Sequence, residues 1–270
     1  MSNAGAVPVS AGTDHARRGN RMKLTFLGVG EACDPEHGNT SFQVVTANNV
    51  HLLCDCGFTI PHSYFAACQD AEQLDLVWIS HFHGDHFFGM PLLLLRLWEM
   101  GRRRPLTVCG PRGVGEQVMG AMEIAFPGIA SGLSYEVFFV ETEPDRRHEV
   151  AGLTLRTVET VHLQRNLGLL LDDGERKLYY SGDGRPTAGV AAMVQECDLA
   201  VHEAFMLQDE FPFHGSITGC LQLVDKNNPC NLALVHLERK FRHDQIMLIN
   251  TILQDNPYLM LPDRGTQLDI

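Results

Sequence analysis

Four side chains able to hold a metal ion, His81, His83, Asp85 and His86, fall within six residues of the stretch Ile79-Ser80-His81-Phe82-His83-Gly84-Asp85-His86. A chance cluster of histidines is a solvated loop, so its position matters. This one follows residues 74–79, an apolar, β-branched and aromatic run that reads as a buried strand, and loops at strand ends are where rigid scaffolds present chemistry. Two imidazoles in His-x-His spacing reach a single cation. Asp85 and His86 point another way and would take a second ion close by, since imidazole suits zinc or iron and carboxylate a harder ion as well. Gly84 lets the backbone turn between the two pairs without a Cβ clash.

The stretch His81-Phe82-His83-Gly84-Asp85-His86 resembles the His-x-His-x-Asp-His signature of the metallo-β-lactamase superfamily, and the resemblance runs on from about residue 23 to the C-terminus. It implies an α/β fold, the four-layer αββα metallo-β-lactamase sandwich. Two divalent ions are implied with it, zinc first, with manganese or iron as alternatives. His81, His83 and His162 would hold one ion and Asp85, His86 and His236 the other, with Asp183 bridging them. Taken alone, a histidine ending a strand is a polar surface residue, and Asp183-Gly184 is an ordinary turn; the order of these residues along the family pattern gives them their roles. His202-Glu203-Ala204-Phe205 and Phe213-His214-Gly215-Ser216 are similar to loops of the ribonuclease Z branch, with Phe205 and Gly215 as departures. His236-Leu237-Glu238-Arg239-Lys240-Phe241 resembles another of its motifs. There Glu238 replaces a serine and Lys240 an arginine, changes that bear on substrate recognition more than on metal binding.

The elements that must position these residues can be read in order. Strands are expected at residues 23–29, 41–45, 50–54, 105–109, 135–140, 153–158, 167–171, 177–180, 199–202 and 231–235. Residues 259–261 and 263–266 are expected as a closing strand pair. Helices are expected at 91–100, packed on both sides, and at 114–125 and 217–223, with a structural turn at 110–113 and an exposed charged loop at 141–149. Asp55, before Gly57 at a strand end, is open to two readings, a turn cap or a carboxylate supporting the metal ligands from behind. Residues 1–21, small and polar with three arginines, read as a disordered tail, and residues 22–270 as one hydrolase domain.

Composition narrows the function classes. A chain of 270 residues at 44% hydrophobic content suits a globular core, and a formal net charge of −12 argues against a broad grip on nucleic-acid phosphates unless positive charge is clustered. The longest apolar run, residues 87–98, is interrupted by Arg96 and too short to span a bilayer, so no membrane partner is expected. Most of the eight cysteines lie in apolar segments, as reduced thiols of a cytoplasmic protein would.

Paired cations about 3.5 to 4 Å apart can share a hydroxide and clamp the entering and leaving oxygens of a displacement. The resemblance then gives Asp85 a second role as proton acceptor from the bridging water and makes His214 the proton donor to the leaving oxygen, oriented by Glu203. His214 could equally be a helix cap or a polar group beside the substrate. Ribonuclease Z carries a long arm for transfer RNA between its third histidine and bridging aspartate. Only twenty residues separate His162 from Asp183 here. The expected substrate is therefore a small phosphodiester, such as a nucleotide or cyclic nucleotide diester, with a homodimer left open. A carboxyl-ester, lactone or thioester hydrolase would use the same ligands. A transfer RNA 3′-end endonuclease or a non-catalytic binding protein fits less well.

Overall fold

The computed structural model describes residues 21–224 and 230–270. The expected N-terminal tail lies outside these residues except for Arg21. The strands are β1 (Lys23–Gly28), β2 (Ser41–Val45), β3 (His51–Cys54), β4 (Leu76–Trp78), β5 (Leu106–Pro111), β6 (Val137–Thr142), β7 (Arg147–Val150), β8 (Leu153–Glu159), β9 (Leu167–Asp172), β10 (Lys177–Tyr180), β11 (Leu199–Glu203), β12 (Asn231–Val235), β13 (Leu259–Met260) and β14 (Gln267–Asp269). They form two seven-stranded mixed sheets, ordered β14-β1-β2-β3-β4-β5-β6 and β13-β12-β11-β10-β9-β8-β7.

Strand periodicity sorts the side chains into layers. Along β3 and β4, Leu52, Cys54, Leu76 and Trp78 face the second sheet, whereas Leu53 and Val77 face outward. Between the sheets these side chains meet Leu169, Leu171, Leu178, Tyr180, Val201 and Val235. Helices α1 (Ile60–Ala67), α3 (Met90–Glu99) and α4 (Val114–Ala125) cover the outer face of the first sheet, with the single turn α2 (Gly84–Phe87) between α1 and α3. Helices α5 (Ala188–Glu196), α6 (Ile217–Leu223) and α8 (Ile246–Asp255) cover the second, with α7 (Arg239–Asp244) just before α8. The expected αββα sandwich is the observed one.

Four expectations need correction. The charged segment 141–149 is not a plain loop: it completes β6 and enters β7, an edge strand whose charges, such as the Arg147–Glu149 pair at 2.6 Å, suit a solvated sheet edge. Residues 110 and 111 extend β5 rather than forming a turn. Helix α3 buries one face, through Met90, Leu93, Leu94 and Leu97, and leaves Arg96 and Glu99 exposed. The expected closing strand pair is not formed: residues 263–266 make a turn, β14 follows it, and the chain crosses between sheets, so β13 lies beside β12 and β14 beside β1.

What matters for the site is polarity. Strands β3 to β6 run parallel, as do β10 to β13, and β8 shares the direction of β10 because both are antiparallel to β9. The carboxyl ends of β3, β4, β8, β10, β11 and β12 deliver Asp55, His81, His162, Asp183, Glu203 and His236, with Glu203 closing its strand and the others just beyond. Crevices beyond the carboxyl ends of strands are where α/β sheets bind ligands.

Candidate dinuclear metal centre

The chain leaves β4 at Trp78 and turns through Ser80 into α2, which places His81, His83, Asp85 and His86 around one crevice. On one side His83 Nδ1 lies 3.1 Å from both His81 Nε2 and His162 Nε2. Three imidazole nitrogens that close cannot all be satisfied by one another. Two of the rings are fixed from behind: His81 Nδ1 donates to Ser80 Oγ at 3.0 Å and His162 Nδ1 to the Phe213 carbonyl at 2.8 Å. Those bonds leave the Nε2 lone pairs facing inward.

On the other side His86 Nε2 lies 3.3 Å from Asp85 Oδ2, and His236 Nε2 lies 3.3 Å from the same oxygen. Asp183 stands between the two groups. Its Oδ2 is 3.8 Å from His81 Nε2 and 3.9 Å from His162 Nε2, while its Oδ1 is 3.2 Å from His86 Nε2 and 3.4 Å from His236 Nε2. Each set of four, His81, His83, His162 with Asp183 and Asp85, His86, His236 with Asp183, has its ligand atoms within 4.8 Å of one another. Among the described residues, Asp183 Oδ1 and His86 Nε2 are buried without a hydrogen-bond partner. Buried polar atoms without partners are costly, so this donor set fits a pair of divalent cations.

Electrostatics points the same way. Burial lowers the pKa of His81, His83 and His162, so these imidazoles stay neutral and keep their lone pairs. Burial also acts against protonation of His86 and His236, but the carboxylates outweigh it. Asp183, Asp85 and Asp55 hold His86 well above the usual histidine range, and Asp183, Asp85 and Glu203 push His236 up to about 9. Burial tends to raise Asp183, yet His236, His86 and His81 hold it well below the usual carboxylate range. The second group of residues therefore calls for positive charge at its centre.

The supporting shell is denser than the sequence revealed. Asp55 accepts from His86 Nδ1 at 2.7 Å, Tyr180 Oη at 2.6 Å, and the Ser80 amide and hydroxyl at 2.7 Å each. Of its two readings, this geometry matches support of the ligands. Sequence reasoning missed Ser80, Tyr180, Asn166 and Gln164. Asn166 Oδ1 accepts from the Asp183 amide at 3.1 Å and Gln164 Oε1 from the Phe82 amide at 2.9 Å, tying the two ligand loops together. One signal for Tyr180 was present: it shares strand parity with Leu178, which puts its ring between the sheets, where a buried hydroxyl needs a partner.

Beside the two groups, His214 Nδ1 lies 2.5 Å from Glu203 Oε1, and the fully buried Glu203 also accepts from the Gly184 amide. Burial and the neighbouring Asp183 raise Glu203; at His214 burial opposes the charge, but the bond to Glu203 wins and raises its pKa. The departures from the ribonuclease Z pattern also find reasons. Phe205 stacks on His214 with ring centroids 4.5 Å apart, and a Cβ at Gly215 would stand 2.7 Å from the Glu203 carbonyl. Glu238 caps α7 by accepting from the Phe241 amide at 2.6 Å. Lys240 is mostly exposed and pairs with Asp244 at 2.7 Å, so the expected effect of that lysine on substrate finds no contact at the metal residues.

The family described as anti-Pycsar protein Apyc1 matches residues 22–252. The chain belongs to that family. Ribonuclease Z of Methanosarcina acetivorans is 23% identical over an alignment covering 87% of this chain and 92% of the relative, and that of Staphylococcus carnosus 24%, covering 87% and 94%. Among solved structures, the metallo-β-lactamase fold protein YhfI of Bacillus subtilis superposes with a TM-score of 0.76 at 20% identity, covering 93% of this chain and all of that one. The short form of human tRNase Z gives 0.71 at 20% identity, covering 91% and 98%. This Apyc1-family chain is thus a ribonuclease Z-like hydrolase of the metallo-β-lactamase fold. No helix among the described residues is long and apolar enough to cross a membrane.

Proposed function

We propose that this protein is a dinuclear metal-dependent phosphodiesterase acting on a small nucleotide diester, cyclic nucleotides included. The observation that carries this reading is the Asp183 carboxylate, whose two oxygens face two separate sets of imidazoles. His81, His83 and His162 would hold one ion, Asp85, His86 and His236 the other, and Asp183 both. Zinc suits this mixture of imidazole and carboxylate, with manganese or iron as alternatives. Bound there, two cations supply Lewis acidity and a water nucleophilic near neutral pH.

The chain's own residues do the rest. Asp85, against His86 and His236, serves as the acceptor for the proton of the attacking water. His214, its Nδ1 held by Glu203, keeps Nε2 to protonate the leaving oxygen, and its raised pKa keeps that proton available near neutrality. Buried Glu203 fixes the ring, and Phe205 backs it.

Support for a small substrate comes from the hairpin of β9 and β10, which takes up the stretch between His162 and Asp183 and leaves no length for a protruding arm there. Residues 22–270 would act as one hydrolase domain, in the cytoplasm, where its thiols stay reduced. The test is turnover by metal-reconstituted protein on nucleotide diesters and bis-para-nitrophenyl phosphate, beside acyl esters, lactones and thioesters, with metal analysis of the same sample. Diester turnover supports the reading. Acyl hydrolysis without diester turnover overturns it.

A further inference from the structure

Large apolar side chains left in water are not spread evenly over this molecule. Six of the eleven among the described residues, Phe58, Phe88, Val161, Leu163, Phe211 and Phe213, lie within three positions of Asp55, His86, His162 or His214. Phe58 and Phe88 come from different loops, after β3 and after α2, yet their rings pair edge to face with centroids 5.8 Å apart at 69°. They remain 51% and 52% exposed. Both press on Gly84, the residue between His83 and Asp85: a Cβ there would stand 2.4 Å from Phe58 Cζ and 2.9 Å from Phe88 Cδ2. The pair is therefore built against the metal loop itself. Beside His214 the rings are already engaged, Phe205 with His214 and Phe211 with Phe205.

Arg185 and Arg239, the arginines nearest in sequence to Asp183 and His236, are paired with Asp209 and Glu31. We propose that the Phe58–Phe88 pair is a stacking platform for the base of a nucleoside phosphodiester whose phosphoryl group sits between the two sets of imidazoles. This rests on the phosphodiesterase reading and adds to it how the rest of the substrate is held. A flat π-system suits the occupant, because an exposed aromatic pair packed against the metal loop offers a face for stacking.

The test compares kcat/KM for a nucleoside diester that the wild-type protein turns over with kcat/KM for the same diester carrying a methoxy group in place of the base. Wild-type protein should prefer the nucleoside substrate. Phe58→Ala and Phe88→Ala should each cut that preference by about tenfold, the size of one base-stacking contact, mainly through KM. Phe58→Leu, which keeps apolar bulk without a flat face, should lose the preference as Phe58→Ala does, whereas Phe58→Trp should keep it. Metal content and melting temperature are measured on every variant. An unchanged preference in well-folded, metal-loaded variants overturns the platform, as does equal turnover of both substrates by wild-type protein, which leaves the phosphodiesterase reading standing. If the alanine variants keep the preference but change the sedimenting mass, the patch is an interface between copies of this chain and the platform is wrong. If wild-type protein turns over no nucleoside diester, the phosphodiesterase reading falls and the platform with it.

Discussion

Asp183 is the residue on which the two halves of the centre meet, and its removal should be felt by both. Asp183→Ala removes a carboxylate that lies 3.2 Å from His86 and 3.4 Å from His236 and takes one oxygen from each set of candidate ligands. We expect metal content to fall together with turnover, the latter by about a thousandfold or more, as measured by metal analysis and diester hydrolysis on the same protein. His214 behaves differently. It touches Glu203 and stacks on Phe205, and it lies outside the two sets of four that share Asp183, although its ring also comes within 4.8 Å of ligand atoms of Asp183, Glu203 and His236. His214→Ala should therefore lower kcat by about 10²- to 10⁴-fold while both ions stay bound. Loss of metal in that variant would assign it to the ligand sphere, and full activity would remove its role as acid.

At the scale of elements, the site depends on how closely the loop after β3 approaches α2. The Cys56 amide donates to the His86 carbonyl at 2.7 Å and the Gly89 amide to the Cys56 carbonyl at 2.8 Å. A Cβ on Gly57 would stand 1.9 Å from the Asp85 carbonyl oxygen. Gly57→Ala must push α2 away, and with it Asp85 and His86. The expected cost is on the order of 1–3 kcal/mol in stability together with weakened metal binding, read from denaturant midpoints with and without chelator. One candidate ligand, His236, and the supporting Asp55 depend on backbone that few side chains adopt, since both lie at φ 57°. There the chain turns abruptly out of β3 and β12, which aims His236 into the crevice and Asp55 at the back of His86.

For the whole molecule, the candidate ligands are shared between the sheets. His81, His83, Asp85 and His86 leave β4 in the first sheet, whereas His162, Asp183 and His236 leave β8, β10 and β12 in the second. Cations held among them cross-link the sandwich at one edge. Chelation should accordingly lower the melting temperature by roughly 10 °C, since a ligand present at about a thousand times its Kd stabilises by about 4 kcal/mol. Refilling with zinc should restore it. A melting temperature indifferent to chelator in protein shown to have lost its metal would mean that the sheets hold the crevice without help.

Much of this fold is legible in the order of its residues, because local rules govern strands, turns and clustered ligands. Apolar strand runs placed β10 and β12, and the glycine turn before residue 114 placed helix α4, at their observed ends, and four ligand side chains within six residues marked the cluster after β4. His162, Asp183 and His236 became legible only through their order along a known family pattern, since a lone histidine or an Asp-Gly pair carries no signal of its own. Helices α1, α5, α7 and α8 went unassigned, and β7 looked like a charged loop, because short amphipathic or edge segments owe their form to the sheet they lie on. Tertiary packing is what turns one Asp183 oxygen to each set of imidazoles, gathers donors from three positions around Asp55, and brings Phe58 to Phe88 over Gly84. These facts join residues up to 125 positions apart, as in the bond from Tyr180 to Asp55, and no local pattern encodes a distance that only the packing of two sheets creates.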